Sequence, residues 1–387
     1  MKRILLATAS IWCVAVVVLR ATVAPAAECP AIDANATRAA ARGAATWIER
    51  AQRPDGTYLY EFNRETGIEP DDYNVVRHAG VTMSLYQLAA AGDLSVLDTA
   101  DRGLAYMRAN LFRRDGWAAF RDPRTGSVQL GASALMLAGL DQRRLATNDS
   151  THDELMREVA RFIVLMQRQD GAFLATWLAT TGAPDPSQTS KYATGEAFWA
   201  LAMMHEAFPR EGWDAPTRLV ADYLSTRRDA EEGFNFPPWA DQWAAYGLAE
   251  MADWPLSEDN VAYARSLSKR FGFLVRIESG RRDNRWSDLI HGRQARAAGM
   301  GTWVEALTSL RRLSNEEPRL ADLADELGER VRCGAGMLAA RQVDSSTQTD
   351  ARIAGGWFTN GVTRMDDQQH ALSGLLRSEA IIENSPK

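Results

Sequence analysis

The sequence is poor in cysteine and histidine, the residues that most often build zinc sites and disulfide frameworks. It has 3 cysteines and 5 histidines among 387 residues, and their spacing matches no zinc motif. Cys13 falls in an N-terminal apolar segment, which leaves Cys29 and Cys333 near the two ends of the remaining chain. In an oxidising compartment these two are a candidate disulfide, with two independent thiols as the alternative. We expect neither a metal ion nor a cofactor.

An excess of positive charge is also absent. The formal net charge is -6, so the chain has no global basic field of the kind that attracts a phosphate backbone. We therefore expect no nucleic-acid partner.

Long apolar segments are confined to the N-terminus. Lys2-Arg3 precede an apolar run from Ile4 to Leu19, and Ala24-Pro25-Ala26 offers a small-x-small cleavage site. The run is shorter than the roughly 20 residues that span a bilayer. This pattern predicts a signal peptide over residues 1–26 and a secreted or periplasmic mature chain, with no stable membrane insertion after signal removal. An uncleaved N-terminal membrane anchor is the alternative.

What the chain does contain is an internal repeat. Trp47-Ile48-x-x-x-Gln52-x-x-Asp55-Gly56-x-Tyr58 recurs as Phe162-Ile163-x-x-x-Gln167-x-x-Asp170-Gly171-x-Phe173. Looser copies surround Asp115-Gly116-Trp117, Glu232-Gly233-Phe234 and Gly355-Gly356-Trp357-Phe358. In each copy a helical stretch ends in a polar-Gly turn, an aromatic residue follows, and a new helix begins. Repetition of this kind indicates an array of helical hairpins.

Hydrophobic periodicity predicts helices of two alternating kinds. Amphipathic, charged helices are expected at 36–52, 95–111, 152–168, 215–227, 257–273 and 318–341. Helices rich in Ala, Gly, Leu and Trp, without a broad charged face, are expected at 73–91, 128–140, 191–207, 240–252, 291–313 and 367–382. Six charged helices that alternate with six buried ones predict an all-α fold, an (α/α)6 toroid with an inner and an outer ring. We expect residues 27–387 to form one such domain.

The predicted inner helices share pairs of small residues three positions apart, which let neighbouring helices approach closely. The pairs are Ala79/Thr82, Gly131/Ala134, Ala197/Ala200, Ala244/Gly247, Ala295/Ala298 and Ala371/Gly374. The two positions before each pair hold Arg77-His78, Gln129-Leu130, Gly195-Glu196, Gln242-Trp243, Arg293-Gln294 and Gln369-His370. Most of these are polar, and polar groups in apolar helices are costly unless bonded or solvated. We expect them to line a water-filled mouth at the N-terminal ends of the inner helices.

The repeat resembles the aromatic-aliphatic-x3-Gln…Asp-Gly-x-aromatic motif of the terpenoid-cyclase and prenyltransferase toroids. The hairpin count and the acidic, aromatic mouth are similar to the six-hairpin glycosidases and the related epimerases and lyases. The Asp-x-Asp-Asp motif of class II terpene cyclases, the zinc ligands of prenyltransferases and the thioester motif of complement-type toroids are absent from the sequence. The resemblance therefore implies glycan chemistry, by analogy of fold.

Carboxylates near the predicted mouth are candidates for glycoside hydrolysis, which uses two carboxyl groups across a sugar ring. Glu196 is the one acid among the twelve aligned positions, and it lies too deep in its helix to be a cap. Asp241 and Asp367 lie near helix starts, where capping is the alternative role. We expect Glu196 and Asp241 to be the acid/base pair, with Asp367 in reserve.

A second set of residues fits a polysaccharide lyase or epimerase that acts on uronic acids. Tyr73, Asn74, Arg77 and His78 form the densest polar run at an inner-helix start, with 73/77 and 74/78 one turn apart. The resemblance implies that such residues neutralise a uronate carboxylate while Tyr73 or His78 removes a proton. A structural His78, bonded to a neighbouring helix, is the alternative.

Three functional hypotheses follow for an oligosaccharide or polysaccharide ligand: an exported glycoside hydrolase, a uronate lyase or epimerase, and a non-catalytic toroid that binds a glycan or a protein. The residues expected to bind substrate are Asn74, Arg77, Gln129, Lys191, Tyr192, Gln242, Trp243, His291, Arg293, Gln369 and His370.

Overall fold

The structure, a computed structural model, describes residues 2–22, 25–234, 238–348 and 350–384. Its helices are α1 (Lys2–Thr22), α2 (Ala34–Ala51), α3 (Val75–Ala90), α4 (Leu97–Ala109), α5 (Leu130–Thr147), α6 (Asp153–Leu165), α7 (Ala193–Ala207), α8 (Asp214–Thr226), α9 (Arg228–Glu231), α10 (Gln242–Glu250), α11 (Glu258–Ser279), α12 (Arg285–His291), α13 (Ala297–Glu316), α14 (Ala324–Ala340) and α15 (Met365–Glu383). Short strands lie between them: β1 (Glu61–Asn63), β2 (Leu111–Arg114), β3 (Trp117–Phe120), β4 (Val128–Gln129), β5 (Thr176–Leu178), β6 (Ala183–Pro184) and β7 (Val362–Arg364).

Six of the helices form a closed inner ring. α3, α5, α7, α10, α13 and α15 contact one another in that order, and α15 returns to contact α3. The helices α2, α4, α6, α8, α11 and α14 pack against the outside of this ring. The predicted (α/α)6 toroid is therefore confirmed.

Small residues allow the inner helices to approach closely. A Cβ atom at Gly374 of α15 would lie 3.0 Å from the carbonyl oxygen of Gly301 in α13, and 3.3 Å from Val304 Cβ. Inner helices are buried along nearly their whole length, as in α7 from Ala193 to Met204. Outer helices bury one face only, which is why their sequences are amphipathic.

The two clear copies of the sequence repeat adopt the same local structure. Gln52 and Gln167 each donate a 2.9 Å hydrogen bond to a backbone carbonyl at the start of the next outer helix, at Thr99 and Pro216. The glycines that follow, Gly56 and Gly171, have positive φ angles of 88° and 93°, which a residue with a side chain rarely adopts. The repeat therefore connects one hairpin to the next.

The short strands were not predicted, because each spans only two to four residues and none shows sustained alternation. β1 pairs with β7, β2 with β3, and β4, β5 and β6 form a three-stranded sheet. The start of the fifth inner helix was also predicted too early, at residue 291. His291 instead ends the separate helix α12, and Gly292, with φ 73°, breaks the backbone before α13 begins at Ala297.

The N-terminal segment is fastened to the ring. A disulfide joins Cys29 to Cys333 of α14, and the backbone N–H of Glu28 donates a 2.7 Å hydrogen bond to the carbonyl of Ser279. Ala24 of the predicted cleavage site lies outside the described residues. Among the helices that the structure describes, none has the length and hydropathy needed to cross a bilayer.

Candidate functional site

A cleft of about 840 Å³ opens at the N-terminal ends of the inner helices. Residues from α3, α5, α7, α10, α13 and α15 all line it, together with the segment around β5. Its polar and aromatic lining residues are Asn74, Arg77, Gln129, Thr176, Gln188, Thr189, Ser190, Tyr192, Glu196, Trp239, Gln242, Trp243, Arg296, Thr302, Trp303, Arg364, Asp366, Gln369 and His370. The position of this cleft matches the mouth that the sequence led us to expect.

Glu196 lies in the first turn of α7 and faces the cleft wall with 4% of its surface exposed. Its carboxylate lies against Gly131 of α5, where a Cβ atom would overlap Oε2. Within the described residues, no hydrogen bond or ion pair reaches this carboxylate. Burial, with a smaller contribution from the negative charge of Asp241, raises the pKa of Glu196 to about 8. Glu196 is therefore a protonated acid at neutral pH.

Asp241 is completely buried at the start of α10 and does not line the cleft. Its carboxylate accepts hydrogen bonds from the backbone N–H groups of Trp243 and Ala244, at 3.0 and 3.2 Å, and so caps the helix. It also pairs with Arg228, whose side chain is 1% exposed. The physical reason for this position is that a buried guanidinium needs a buried counter-charge. The structure therefore gives Asp241 the capping role.

Asp366 and Asp367 begin α15 among three arginines. Asp366 lines the cleft and pairs with Arg77 at 3.1 Å and with Arg364 at 3.0 Å. Asp367 is buried, pairs with Arg296, and accepts the backbone N–H of Ala298 at 3.0 Å. Asp366 is thus the member of this pair that reaches the cleft, and arginines compensate its charge.

His370, one turn further along α15, lines the cleft beside a second buried acid. Its Nδ1 lies 3.0 Å from Oε2 of Glu305, a residue of α13 with no exposed surface. Burial opposes protonation of the imidazole, but the charge and hydrogen bond of Glu305 outweigh it and raise the pKa of His370 above its usual value. The pair is a candidate proton donor that is independent of Glu196.

Tyr73 and His78 are hydrogen-bonded to each other and do not line the cleft. The Tyr73 hydroxyl lies 2.7 Å from Nδ1 of His78, and Nε2 of His78 lies 2.9 Å from the carbonyl of Gly103. Tyr73 also accepts the backbone N–H of Tyr58 at 3.0 Å. Burial lowers the pKa of His78 to about 4. His78 is therefore a neutral residue that joins α3 to α4, which matches the structural alternative.

The structure brings nine of the predicted site residues into one cleft: Asn74, Arg77, Gln129, Tyr192, Glu196, Gln242, Trp243, Gln369 and His370. Lys191 lies at its edge, between the lining residues Ser190 and Tyr192. His291 and Arg293 do not line it, because both precede α13 on the segment that follows α12.

Several cleft residues were missed by the sequence analysis. Arg296 precedes α13 and Arg364 ends β7, and their partners are distant or adjacent acids that spacing alone does not reveal. Glu305 carried a usable signal, since it is an acid in the middle of the apolar stretch Trp303–Leu307. A buried acid of this kind needs a partner, and His370 supplies it.

Comparison with solved structures finds this fold in enzymes that act on sugars. A D-mannose isomerase has 12% sequence identity to the chain and a TM-score of 0.60, and the match covers 88% of this chain and 96% of the isomerase. A cellobiose 2-epimerase from Spirochaeta thermophila has 14% identity and a TM-score of 0.59, with 90% and 98% covered. An inactive variant of a family 76 α-1,6-mannanase from Salegentibacter sp., in complex with α-1,6-mannotriose, has 13% identity and a TM-score of 0.59, with 89% and 99% covered.

No protein-family model matches the sequence, and no curated protein does. At these identities the solved structures show the fold alone, an (α/α)6 toroid.

Proposed function

We propose that the protein is a carbohydrate-active enzyme, and that it is a glycoside hydrolase with Glu196 as general acid. The observation that carries the proposal is the state of this carboxyl group, which is buried at the cleft wall without a charged partner and has a pKa of about 8. A general acid must hold its proton at working pH and release it to the leaving oxygen. The sugar-acting enzymes with the same fold support a carbohydrate substrate.

The second carboxyl group in the proposal is Asp366, not Asp241 or Asp367. Asp366 lines the cleft, and Arg77 and Arg364 balance its negative charge. Two carboxyl groups in contrasting surroundings, one buried without a charged partner and one paired with arginines, can divide the roles of acid and base in a hydrolase. Asp366 would then activate water or stabilise the positive charge that develops on the sugar.

The experiment is a screen of the purified protein against a panel of oligosaccharides, with mass detection of products. For a substrate found in this way, Glu196→Gln should lower kcat by about 10²–10⁴-fold, the contribution of a general acid, while ligand affinity and folding remain intact. The matched control is Glu206→Gln, an exposed glutamate at the far end of the same helix. Full activity of Glu196→Gln would refute the assignment, and binding of a glycan without any product would favour a non-catalytic toroid.

A sugar epimerase or isomerase is the second candidate, and the His370–Glu305 pair favours it. An acid-linked histidine at the cleft wall can move a proton to or from a sugar carbon or oxygen. Incubation in D2O distinguishes the two reactions, because an epimerase or isomerase introduces deuterium at a sugar carbon and a hydrolase does not. Tyr73 and His78, which a uronate lyase would need beside the substrate, do not line the cleft, and the proposal does not use them.

We also propose that the enzyme is exported and that its signal is cleaved after Ala26. The N-terminal sequence pattern supports this, and N-terminal sequencing of the native protein should begin at Ala27.

A further inference from the structure

The edge of the cleft carries a lysine whose charge is not neutralised by an acid. Lys191 is one of 4 lysines in a sequence with 44 lysine and arginine residues in total. No ion pair involving it exists among the described residues. By contrast, the three arginines that line the cleft, Arg77, Arg296 and Arg364, are each paired with Asp366 or Asp367.

The Lys191 ammonium lies among aromatic rings that belong to the cleft. Its Nζ is 4.5 Å from the ring centroid of Trp239 and 5.2 Å from that of Tyr192. Those two rings meet edge to face with centroids 5.3 Å apart. Both rings line the cleft, and Tyr192 is 43% exposed. The exposed ring of Tyr192, with this cation beside it, can stack a sugar ring while the cation contacts an acidic substituent on that sugar.

The backbone at this edge of the cleft is fixed by the buried ion pair of Arg228 and Asp241. Arg228, paired with Asp241, also donates a hydrogen bond to the carbonyl of Lys191. The hydroxyl of Ser190 accepts the backbone N–H groups of Tyr192 and Ala193, at 3.3 and 3.2 Å. Lys191 and Tyr192 are therefore fixed in position although their side chains are exposed, and Asp241 acts as a positioning residue for them.

The distance between Tyr192 and Glu196 is close to the length of one sugar unit. The backbone N–H of Glu196 donates a 3.1 Å hydrogen bond to the carbonyl of Tyr192, so the two residues are four positions apart along the helix, a rise of about 6 Å. That rise is comparable to the length of one pyranose unit. A glycan with its scissile bond at Glu196 would place a neighbouring sugar on Tyr192.

We propose that Lys191, Tyr192 and Trp239 form an outer subsite for a sugar that carries a carboxylate, so that the substrate is an acidic oligosaccharide. The proposal rests on the proposed function for the placement of the bond at Glu196. Tyr192 supplies the stacking surface, the ring of Trp239 holds the Lys191 ammonium in place, and Lys191 supplies the charge that distinguishes an acidic sugar from its neutral counterpart.

The test measures binding in the Glu196→Gln background, so that no ligand is consumed. The probes are short oligosaccharides of glucuronate, galacturonate or mannuronate, each compared by calorimetry with the same oligosaccharide after its carboxyl groups have been reduced. At least one acidic probe should bind more tightly than its reduced partner. Lys191→Met should weaken binding of that probe by about 3- to 10-fold, as expected for a partly exposed ion pair, and leave the reduced probe unaffected. Added salt should reduce the preference.

The matched control is Lys269→Met, which removes an exposed lysine from the outer helix α11. The proposal is overturned if no acidic probe is preferred, if the preference survives Lys191→Met, or if Lys269→Met abolishes it equally. The proposed function can fail separately from the subsite. If the wild-type protein shows the Lys191-dependent preference but releases no product from the preferred probe, the subsite is present and the hydrolase activity is absent.

Discussion

Glu196 and Asp241 begin neighbouring inner helices, α7 and α10, and both are buried acids, yet their surroundings differ completely. Asp241 has a buried arginine and two backbone N–H groups as partners. Glu196 has no such partner among the described residues and is kept protonated by burial. The comparison shows that a place at the start of an inner helix does not decide the role of an acid. Its partners decide whether it stabilises the fold or is available to give up a proton.

The largest expected difference is in stability. Asp241→Asn should lower the free energy of unfolding by about 3–5 kcal/mol, because it leaves the Arg228 guanidinium buried without its main counter-charge. At neutral pH Glu196→Gln should instead raise it, by roughly 2–3 kcal/mol, because the amide keeps the folded chain neutral at this site without the cost of protonating the glutamate on folding. Urea unfolding of both variants measures the contrast.

A double variant provides the control for this prediction. Combining Arg228→Met with Asp241→Asn removes both charges and should recover part of the stability that Asp241→Asn loses. Equal losses for Asp241→Asn and Glu196→Gln would mean that the two acids have the same role.

The next difference is in pH dependence. Below pH 4.5 Glu196 is protonated in the folded and the unfolded chain, while between its ordinary pKa of 4.5 and its raised pKa of about 8 only the unfolded chain has lost the proton. The unfolded chain then binds fewer protons, so stability falls as the pH rises. Relative to Glu196→Gln, the wild type should lose roughly 2–4 kcal/mol between pH 4.5 and 8. Parallel unfolding curves for the two proteins across this range would show that the pKa is not raised.

The smallest expected difference comes from two glycines, one beside each acid. A Cβ at Gly195 would lie 2.6 Å from both carboxylate oxygens of Asp241 and 2.8 Å from Trp243 Cβ, so Gly195→Ala should destabilise the fold by about 1–3 kcal/mol through overpacking. A Cβ at Gly131 would displace the Glu196 carboxylate instead. Gly131→Ala should therefore lower kcat by about tenfold, roughly 1.4 kcal/mol in the barrier, with little loss of stability. If Gly195→Ala and Gly131→Ala show the same ratio of activity loss to stability loss, the contrast between Asp241 and Glu196 is wrong.

The fold could be predicted from the sequence because the same pattern, an amphipathic helix followed by an apolar helix, recurs in each hairpin. Periodicity separates helices with a charged face from helices without one, and the Gln…Asp-Gly turn recurs between an outer helix and the inner helix that follows it, after α2 and after α6. The short strands and the break at Gly292 could not be predicted, since they depend on a few residues and on pairing between distant segments such as β1 and β7.

The candidate site was less predictable, for a physical reason. Sequence places polar residues such as Glu196 and Gln369 at the mouth, but the state of a carboxyl group depends on neighbours that come from other hairpins. Arg296, which pairs with Asp367, is 71 positions away from it, and Glu305 is 65 positions from His370. The roles of the acids remain proposals that the variants above test.

The closure of the ring has a consequence for how the protein is made. α15 fills the gap between α13 and α3, β7 pairs with β1, and Arg38 near the start of α2 pairs with Glu379 near the end of α15. The first inner helix, α3, therefore cannot complete its packing until the last one, α15, has been synthesised. At about 5–20 residues per second, the ribosome takes roughly 15–60 s to proceed from α3 to the end of α15. Throughout that interval α3 lacks its final partner, and the apolar surface that α15 buries in the finished ring stays uncovered.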